Sequence, residues 1–175
     1  MGSIRGVTAT RSGWRGNLEV VRVDYDPAVV SFEKLFAQAS KFDCASAVFT
    51  YTDEQHEYAS EKIGKKAVKA RGLMRDVATK EQKYYVRKSP FGRLPLTALQ
   101  ASMINGELYT GGTPEKWLSP RQQELLGFMQ KSPSSVQKIL LSLSWPDDDS
   151  KLIAFENKVL NVLKGKANEK DELGF

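Results

Sequence analysis

A Ser or Thr followed three residues later by Gln recurs along the chain, and this spacing constrains the fold more than any other feature. In such a capping box the Ser or Thr hydroxyl accepts a hydrogen bond from the backbone amide of the Gln. The Gln side chain in turn accepts one from the backbone amide of the Ser or Thr. Each occurrence therefore predicts the start of a helix. Because most occurrences follow residue 78, the later part of the chain is predicted to be helical. The predicted starts are Thr52, Thr79, Thr97, Ser119 and Ser134.

The spacing of apolar residues predicts how far two of the helices extend. After Thr52, alanine and isoleucine recur every fourth position, so we expect a helix over residues 53–68. Near the other end, apolar residues form one stripe of a helix predicted over residues 151–164. The dipeptide Trp145-Pro146 stops the pattern before that helix. The polar segment after it, "GKANEKDELGF", is predicted to fray.

The early part of the chain has strand patterns instead. The stretch "GVTATRSGWRGNLEVVRVDYDP", residues 6–27, predicts two strands joined by a Gly-rich turn, with residues 18–25 alternating in the strand manner. Ser31 is placed to cap a helix over about residues 32–40, and "ASAVFTY", residues 45–51, predicts another strand. These patterns place the chain in the α+β class.

The patterns also divide the chain. Residues 1–90 mix strands and helices, so they are predicted to form an α/β domain. Residues 91–175 are predicted to form an all-helical C-terminal extension, whose role the sequence does not indicate.

Composition narrows the classes of function. The net charge is +5, with 26 basic and 21 acidic residues spread along the chain, so we expect no nucleic-acid partner. The densest basic run, "KIGKKAVKARGLMR", is interpreted as a solvated helix end and loop, and a basic surface for an anionic partner is left open. The one cysteine, Cys44, and the one histidine, His56, are too few for a disulfide or a Cys/His zinc site, so no metal is predicted.

Membrane and secretion signals are not expected either. No run of 18 apolar residues occurs, and "MGSIRGV" lacks the apolar core of a signal peptide. We therefore predict a cytoplasmic protein without a membrane partner, provided that Met1 is the natural start.

Four stretches in order resemble the S-epimer-specific peptide methionine sulfoxide reductases. "GVTATRSGWRGN" is similar to that family's Gly-Val-x-Ser-Thr-Arg-x-Gly-Tyr-x-Gly-Gly, and "LEVVRVDYDPAVVSFEKLF" to its Ala-Glu-Val-Val-Arg-Val-x-Tyr-Asp-Pro segment and following helix. "SAVFTYTDEQ" and "EQKYYVRK" resemble later segments, so the resemblance covers residues 4–88. It implies a ferredoxin-like mixed sheet with helices and a role in protein repair under oxidative stress.

The resemblance also implies a reaction and a site. The family reduces oxidised methionine in peptides and proteins, binds no cofactor, and is recycled by thioredoxin or another thiol reductant. Glu19 matches the carboxylate that protonates the sulfoxide oxygen, and Trp14 matches an aromatic residue of the substrate pocket. Asp43 and Cys44 lie where the family's second polar loop ends. Asp43 is accordingly a candidate substrate-binding residue, and Cys44 a weak alternative nucleophile.

One departure from the family is decisive for activity. The Gly-Cys-Phe-Trp motif that carries the family's nucleophile is absent, so the chain as given is expected to be inactive, either truncated or degenerate. The alternative is a non-catalytic module that binds a peptide or protein.

Glu19 and Cys44 also have structural interpretations. Partial burial of Glu19 would favour its protonated form and suit a general acid, but Glu19 can equally be solvated or paired with Arg11 or Arg22. Cys44 can be a small buried apolar residue instead of a reactive thiol.

Overall fold

The computed structural model describes residues 1–78, 81–143, 145–146 and 149–165. Strands and helices mix in the first part of the chain, so the fold is α+β, as the sequence predicts. The chain forms two compact units, the first covering Ser3–Asp76 and the second beginning at Val77. This division comes before the boundary that the sequence analysis placed at residue 90. The "EQKYYVRK" segment therefore lies in the second unit.

The first unit is built on the predicted hairpin. Strand β1, Val7–Arg15, pairs antiparallel with strand β2, Leu18–Tyr25. The two-residue turn between them begins with Gly16, whose φ of 58° suits a type II′ turn, the kind that matches the twist of a hairpin. The two predicted strands are thus confirmed.

Two further pairings complete the sheets of the first unit. A short strand β5, Arg75–Asp76, pairs antiparallel with β1, so the three-stranded order is β2-β1-β5. Strand β3, Val48–Thr50, pairs parallel with strand β4, Ala67–Lys69, in a separate two-stranded sheet. The strand predicted over residues 45–51 is therefore present but shorter.

The helix predicted over residues 53–68 is wrong in its last part. Helix α2 covers Asp53–Ile63 and ends at Gly64, whose φ of 58° leaves the helical region. After a single 3-10 turn the chain enters β4, where Ala67 is buried. Parallel pairing with β3 outweighs the four-residue apolar spacing that favoured a longer helix.

The helix starts of the first unit follow the predicted caps. Ser31 accepts a hydrogen bond from the amide of Lys34 at the start of helix α1, Phe32–Lys41. Thr52 accepts one from the amide of Gln55 at the start of α2. The side chain of Gln55 accepts from the amide of Tyr51 instead of completing the box. The unit buries two small apolar clusters, Val7, Val30 and Leu35, and Phe36, Ala59 and Ala67.

All regular elements described in the second unit are helical, as predicted. Helices α3 to α7 cover Tyr84–Arg87, Ala98–Thr110, Pro120–Lys131, Ser134–Ser142 and Leu152–Leu163, with short 3-10 turns at Pro90–Arg93, Pro114–Trp117 and Asp149–Lys151.

The predicted capping boxes of the second unit have mixed outcomes. Complete boxes open α4 at Thr97 and α5 at Ser119. The box at Ser134 is wrong, since Pro133 takes the cap position and the side-chain amide of Gln137 donates to the Ser132 carbonyl at 2.9 Å. The predictions at Thr79 and for the polar tail lie outside the described residues. The last helix agrees with its prediction to within one residue at each end.

The two complete boxes are joined to each other. The Gln100 side-chain amide donates to the Gln122 carbonyl oxygen at 2.8 Å, and Gln122 donates back to Gln100 at 3.1 Å. This reciprocal pair fixes the start of α4 against the start of α5 above one apolar core. That core comprises Val86, Phe91, Leu94, Leu96, Ala101, Ile104, Leu118, Leu125, Leu126, Met129, Leu140, Trp145, Phe155, Val159 and Val162.

Candidate functional site

Trp14 and Glu19 face each other across the hairpin. They are directly opposite in the β1–β2 register, so their side chains project from the same face of the sheet. Arg75 on β5 is opposite Trp14 on the other side. The sheet therefore brings the predicted aromatic residue and the predicted acid together, and it adds a cation that the sequence analysis did not single out.

Glu19 lies in solvent. Its side chain is exposed at the start of β2, so the partial burial considered for it is not found. Neither cation considered as its partner is available, since Arg11 pairs with Asp76 at 3.4 Å and Arg22 pairs with Asp24 at 3.2 Å.

Asp43 and Cys44 follow the end of α1. Asp43 is exposed with a φ of 55°, and the exposed Cys44 thiol donates to the carbonyl of Phe42 at 3.2 Å. The interpretation of Cys44 as a small buried residue is therefore wrong. Neither residue lines the groove beside Trp14, so the structure does not bring the four predicted site residues into one place.

The first unit has an open groove of about 920 Å³, which we name the basic groove. The end of β1, strand β4 and the loop leading to β5 form its walls. Aromatic and cationic side chains share this surface. Its lining residues are Trp14, Arg15, Gly16, Phe49, His56, Ala67, Val68, Lys69, Arg71, Leu73 and Arg75.

Arg15 holds the groove together. Its guanidinium lies over the rings of Phe49 and Tyr51, with its central carbon 5.3 and 5.8 Å from the ring centroids. It also donates to the carbonyls of Arg71 and Gly72 at 3.0 and 3.1 Å. The planar fork of arginine can stack and donate at once. Arg15 thereby ties the 71–75 loop to both small sheets of the first unit.

The remaining cations of the groove differ in their pairing. Lys69 is bonded to the carboxylate of Asp53 at 2.6 Å, and this contact holds the pKa of Asp53 below its ordinary value. Within the part of the chain that the structure describes, neither Arg71 nor Arg75 forms an ion pair. Their side chains are exposed, so the groove presents two uncompensated guanidinium groups.

His56 has polar neighbours on both ring nitrogens. Nδ1 lies 3.3 Å from the Thr50 hydroxyl, and Nε2 lies 3.4 Å from the Ser60 hydroxyl. Thr50 in turn donates to the carbonyl of Val68 on β4. These contacts join α2 to the parallel sheet beneath the groove. They give His56 a structural role in the first unit.

The polar groups of the second unit hold its fold together. Glu107, which is mostly buried, pairs with Lys116 at 2.8 Å and accepts from the Thr113 amide at 3.1 Å. The Lys116 hydrogen bond is the main reason that the pKa of Glu107 lies below its ordinary value. Arg87 and Arg93 donate to backbone carbonyls, and partial burial lowers the pKa of both. A smaller groove of about 320 Å³ lies beside Arg93.

No protein-family model matches the chain, and no curated protein is significantly similar to it. Of the helices within residues 1–78, 81–143 and 149–165, none has the length and apolar character required to cross a membrane. In the same described residues, His, Cys, Asp and Glu side chains do not gather in groups of three or more that could hold a metal ion.

Sequence reasoning missed most of the basic groove. The run "KIGKKAVKARGLMR" contains its Lys69, Arg71 and Arg75, but the run was interpreted as a solvated helix end and loop. The signal was the density of cations, together with Gly64 and Gly72, which both have positive φ. The role of Arg15 in the groove could not be predicted from the sequence, because its partners lie more than thirty residues away along the chain.

Proposed function

We propose that the first unit is a non-catalytic module that binds a peptide or a protein segment in the basic groove. The unit would be a degenerate relative of the methionine sulfoxide reductases, with a sheet derived from their ferredoxin-like arrangement. The observation that carries this proposal is the lining of the groove, where Trp14 and Arg15 stand beside Arg71 and Arg75, which form no ion pair among the described residues.

Such a lining suits recognition. A tryptophan side chain offers a large rigid contact surface with one polar atom, and arginine forks add directed hydrogen bonds, so both residue types concentrate in the centres of binding interfaces. The groove is already shaped by Arg15, and a surface held in its binding geometry loses less entropy when a ligand arrives. Cys44, the weak alternative nucleophile, is not among the lining residues.

A peptide array tests this proposal. The full chain is applied to mixed-sequence dodecapeptides that include acidic, basic, neutral and methionine-sulfoxide-containing members. We expect a subset of peptides to capture the wild type, the Trp14→Ala variant to lose this capture, and Trp14→Phe to keep part of it. Capture that is unchanged in Trp14→Ala, or no capture of the folded wild type, would refute the proposal.

Reductase activity is the second candidate, and the Trp14–Glu19 pairing favours it. Those are two of the four residues that the resemblance assigns to the site, and they are directly opposite in adjacent strands. In this alternative an oxidised-methionine peptide is the substrate, thioredoxin or another thiol supplies the electrons, and Glu19 protonates the sulfoxide oxygen.

The two candidates separate in a turnover assay. The full chain is incubated with a methionine-S-sulfoxide peptide and dithiothreitol, with Cys44→Ser and Glu19→Gln as variants. The binding module predicts no turnover in any sample. Turnover that disappears in Glu19→Gln would establish the reductase, and its loss in Cys44→Ser would identify the nucleophile.

A further inference from the structure

We infer that the basic groove takes an acidic polypeptide segment, with an apolar side chain of the partner flanked by carboxylates. This inference rests on the proposed function and names the chemistry of its ligand. It follows from the 71–75 loop, where two exposed arginines stand on either side of an exposed leucine.

The charge of the groove is concentrated at Arg71 and Arg75. Lys69 is neutralised by Asp53, and the fork of Arg15 is occupied by carbonyls and rings. An unpaired guanidinium binds a carboxylate through two parallel hydrogen bonds, and clusters of arginine are the usual readers of acidic motifs. Two such groups on one loop therefore select an anionic partner.

Leu73 supplies the apolar contact. Its side chain is 98% exposed, the highest value among the large apolar residues of the chain that the structure describes. It lies midway between the two arginines and lines the same groove. A partner that buries Leu73 while pairing both arginines would carry an apolar residue between acidic ones.

The loop is also held in place before any partner arrives. Arg15 donates to the carbonyls of Arg71 and Gly72, and the following residue pair, Arg75–Asp76, is hydrogen-bonded to β1. Both ends of the loop are thus anchored. Anchoring reduces the ordering cost of binding.

A single-stranded nucleic acid fits the groove less well. Such ligands stack their bases on free aromatic faces. Of the Phe, Tyr and Trp side chains that line the groove in the described residues, Phe49 already stacks against Arg15, so Trp14 alone has no arginine over its ring. The groove has cations for a phosphate backbone but few platforms for bases.

Fluorescence anisotropy on the full chain tests the inference. The probe is a labelled dodecapeptide of Asp and Glu with one central Leu, and its neutral counterpart has Asn and Gln in place of the acids. We expect the acidic peptide to bind at least about tenfold more tightly than the neutral one, because it gains charge-assisted hydrogen bonds. Added salt should weaken its binding.

Two double variants provide the matched comparison. Arg71→Ala/Arg75→Ala should lose about tenfold or more in affinity for the acidic peptide. Lys65→Ala/Lys66→Ala removes the same charge from exposed residues of the first unit that do not line the groove, and it should change affinity by no more than about twofold. Circular dichroism confirms that both fold. Leu73→Ala should weaken the binding of the acidic peptide and leave the effect of salt on that binding unchanged.

The outcomes distinguish failure of this inference from failure of the proposed binding function. Equal affinity for the acidic and neutral peptides, with capture still dependent on Trp14, would overturn the inference and keep the binding module. Tighter binding of a labelled thymidine dodecanucleotide than of the acidic peptide would overturn it in favour of nucleic acid. Equal loss in the two double variants would reduce the effect to net charge and also overturn it.

Discussion

The two units bury their apolar side chains in different ways. The second unit gathers fifteen of its described residues in one continuous buried cluster, whereas the first unit has two separate clusters of three. Because burial of apolar surface is the main stabilising contribution to a fold, the second unit is expected to be the more stable one.

The difference separates stability from recognition. In the first unit polar and stacking contacts, above all those of Arg15, replace part of the missing apolar core, and they hold a wide charged groove open. In the second unit polar contacts lock helix ends around an apolar core. The first unit is therefore the place where a ligand is expected, and the second is the place where mutations should cost most.

The largest expected effect is in the apolar core of the second unit. Ile104 is fully buried there, so Ile104→Ala should destabilise that unit by about 2–5 kcal/mol. Leu35→Ala, in a small cluster of the first unit, should fall at or below the low end of that range, about 2 kcal/mol, because its surroundings can collapse more easily. Hydrogen exchange of the amides of α4 and α1 measures the two losses of stability. If the two substitutions destabilise their units equally, the contrast between the units is wrong.

Arg15→Ala should have the next largest effect. Loss of its stacking and of its hydrogen bonds to two carbonyls should destabilise the first unit by about 2 kcal/mol and leave α4 unchanged. Arg15→Lys keeps the charge without the planar fork, so it should restore only part of the loss. If the lysine variant matches the wild type in amide exchange of residues 71–75, the guanidinium geometry is not what holds the loop.

Removal of one capping box should cost about 1 kcal/mol. Thr97→Ala deletes the hydroxyl that accepts from the Gln100 amide at the start of α4. Ser134→Ala is the matched control, because Ser134 does not cap its helix, and it should change stability by less than about 0.5 kcal/mol. Urea unfolding followed by far-ultraviolet circular dichroism compares the two. Equal losses would show that the box at Thr97 contributes nothing specific.

Protonation of Glu107 should make the stability of the second unit depend on pH. Its carboxyl has a pKa below the ordinary value of 4.5, first because of the Lys116 hydrogen bond, so its contribution to stability is complete above pH 4.5. The contribution should be lost as the pH falls from there through the lowered pKa. Glu107→Gln should remove this dependence from thermal unfolding between neutral and acidic pH. A slope that is the same in both proteins would assign it to other carboxyls.

Cys44 should have the smallest effect. Its thiol is exposed and bonds only to the nearby Phe42 carbonyl in the described contacts, so Cys44→Ser should shift stability by less than about 0.5 kcal/mol. Binding to the acidic peptide should also be unchanged. A larger shift in thermal unfolding, or a loss of binding, would give Cys44 a role that its position does not indicate.

Sequence signals predicted correctly those features whose interacting residues lie close together along the chain. The hairpin and the caps at Ser31, Thr97 and Ser119 are formed by residues within a few positions of one another, and all were predicted. Ser134 failed because Pro133 takes the cap position, although the spacing of Ser134 and its glutamine is right.

Features that depend on distant partners were missed. Ala67–Lys69 became a strand through pairing with β3, which no local pattern encodes. The groove depends on Arg15 meeting Arg71 and Tyr51, and such contacts cannot be read from spacing. The resemblance assigned all four candidate site residues. Trp14 and Glu19 face each other within one hairpin, whereas Asp43 and Cys44 follow α1, and of the four only Trp14 lines the groove.

The most direct test of the central claim is a titration of the isotopically labelled full chain with the acidic dodecapeptide, followed by amide and indole shifts in nuclear magnetic resonance. The account predicts that the largest shifts fall on the Trp14 indole and on residues 67–75. Shifts concentrated at residues 42–45, or confined to the second unit, would contradict it.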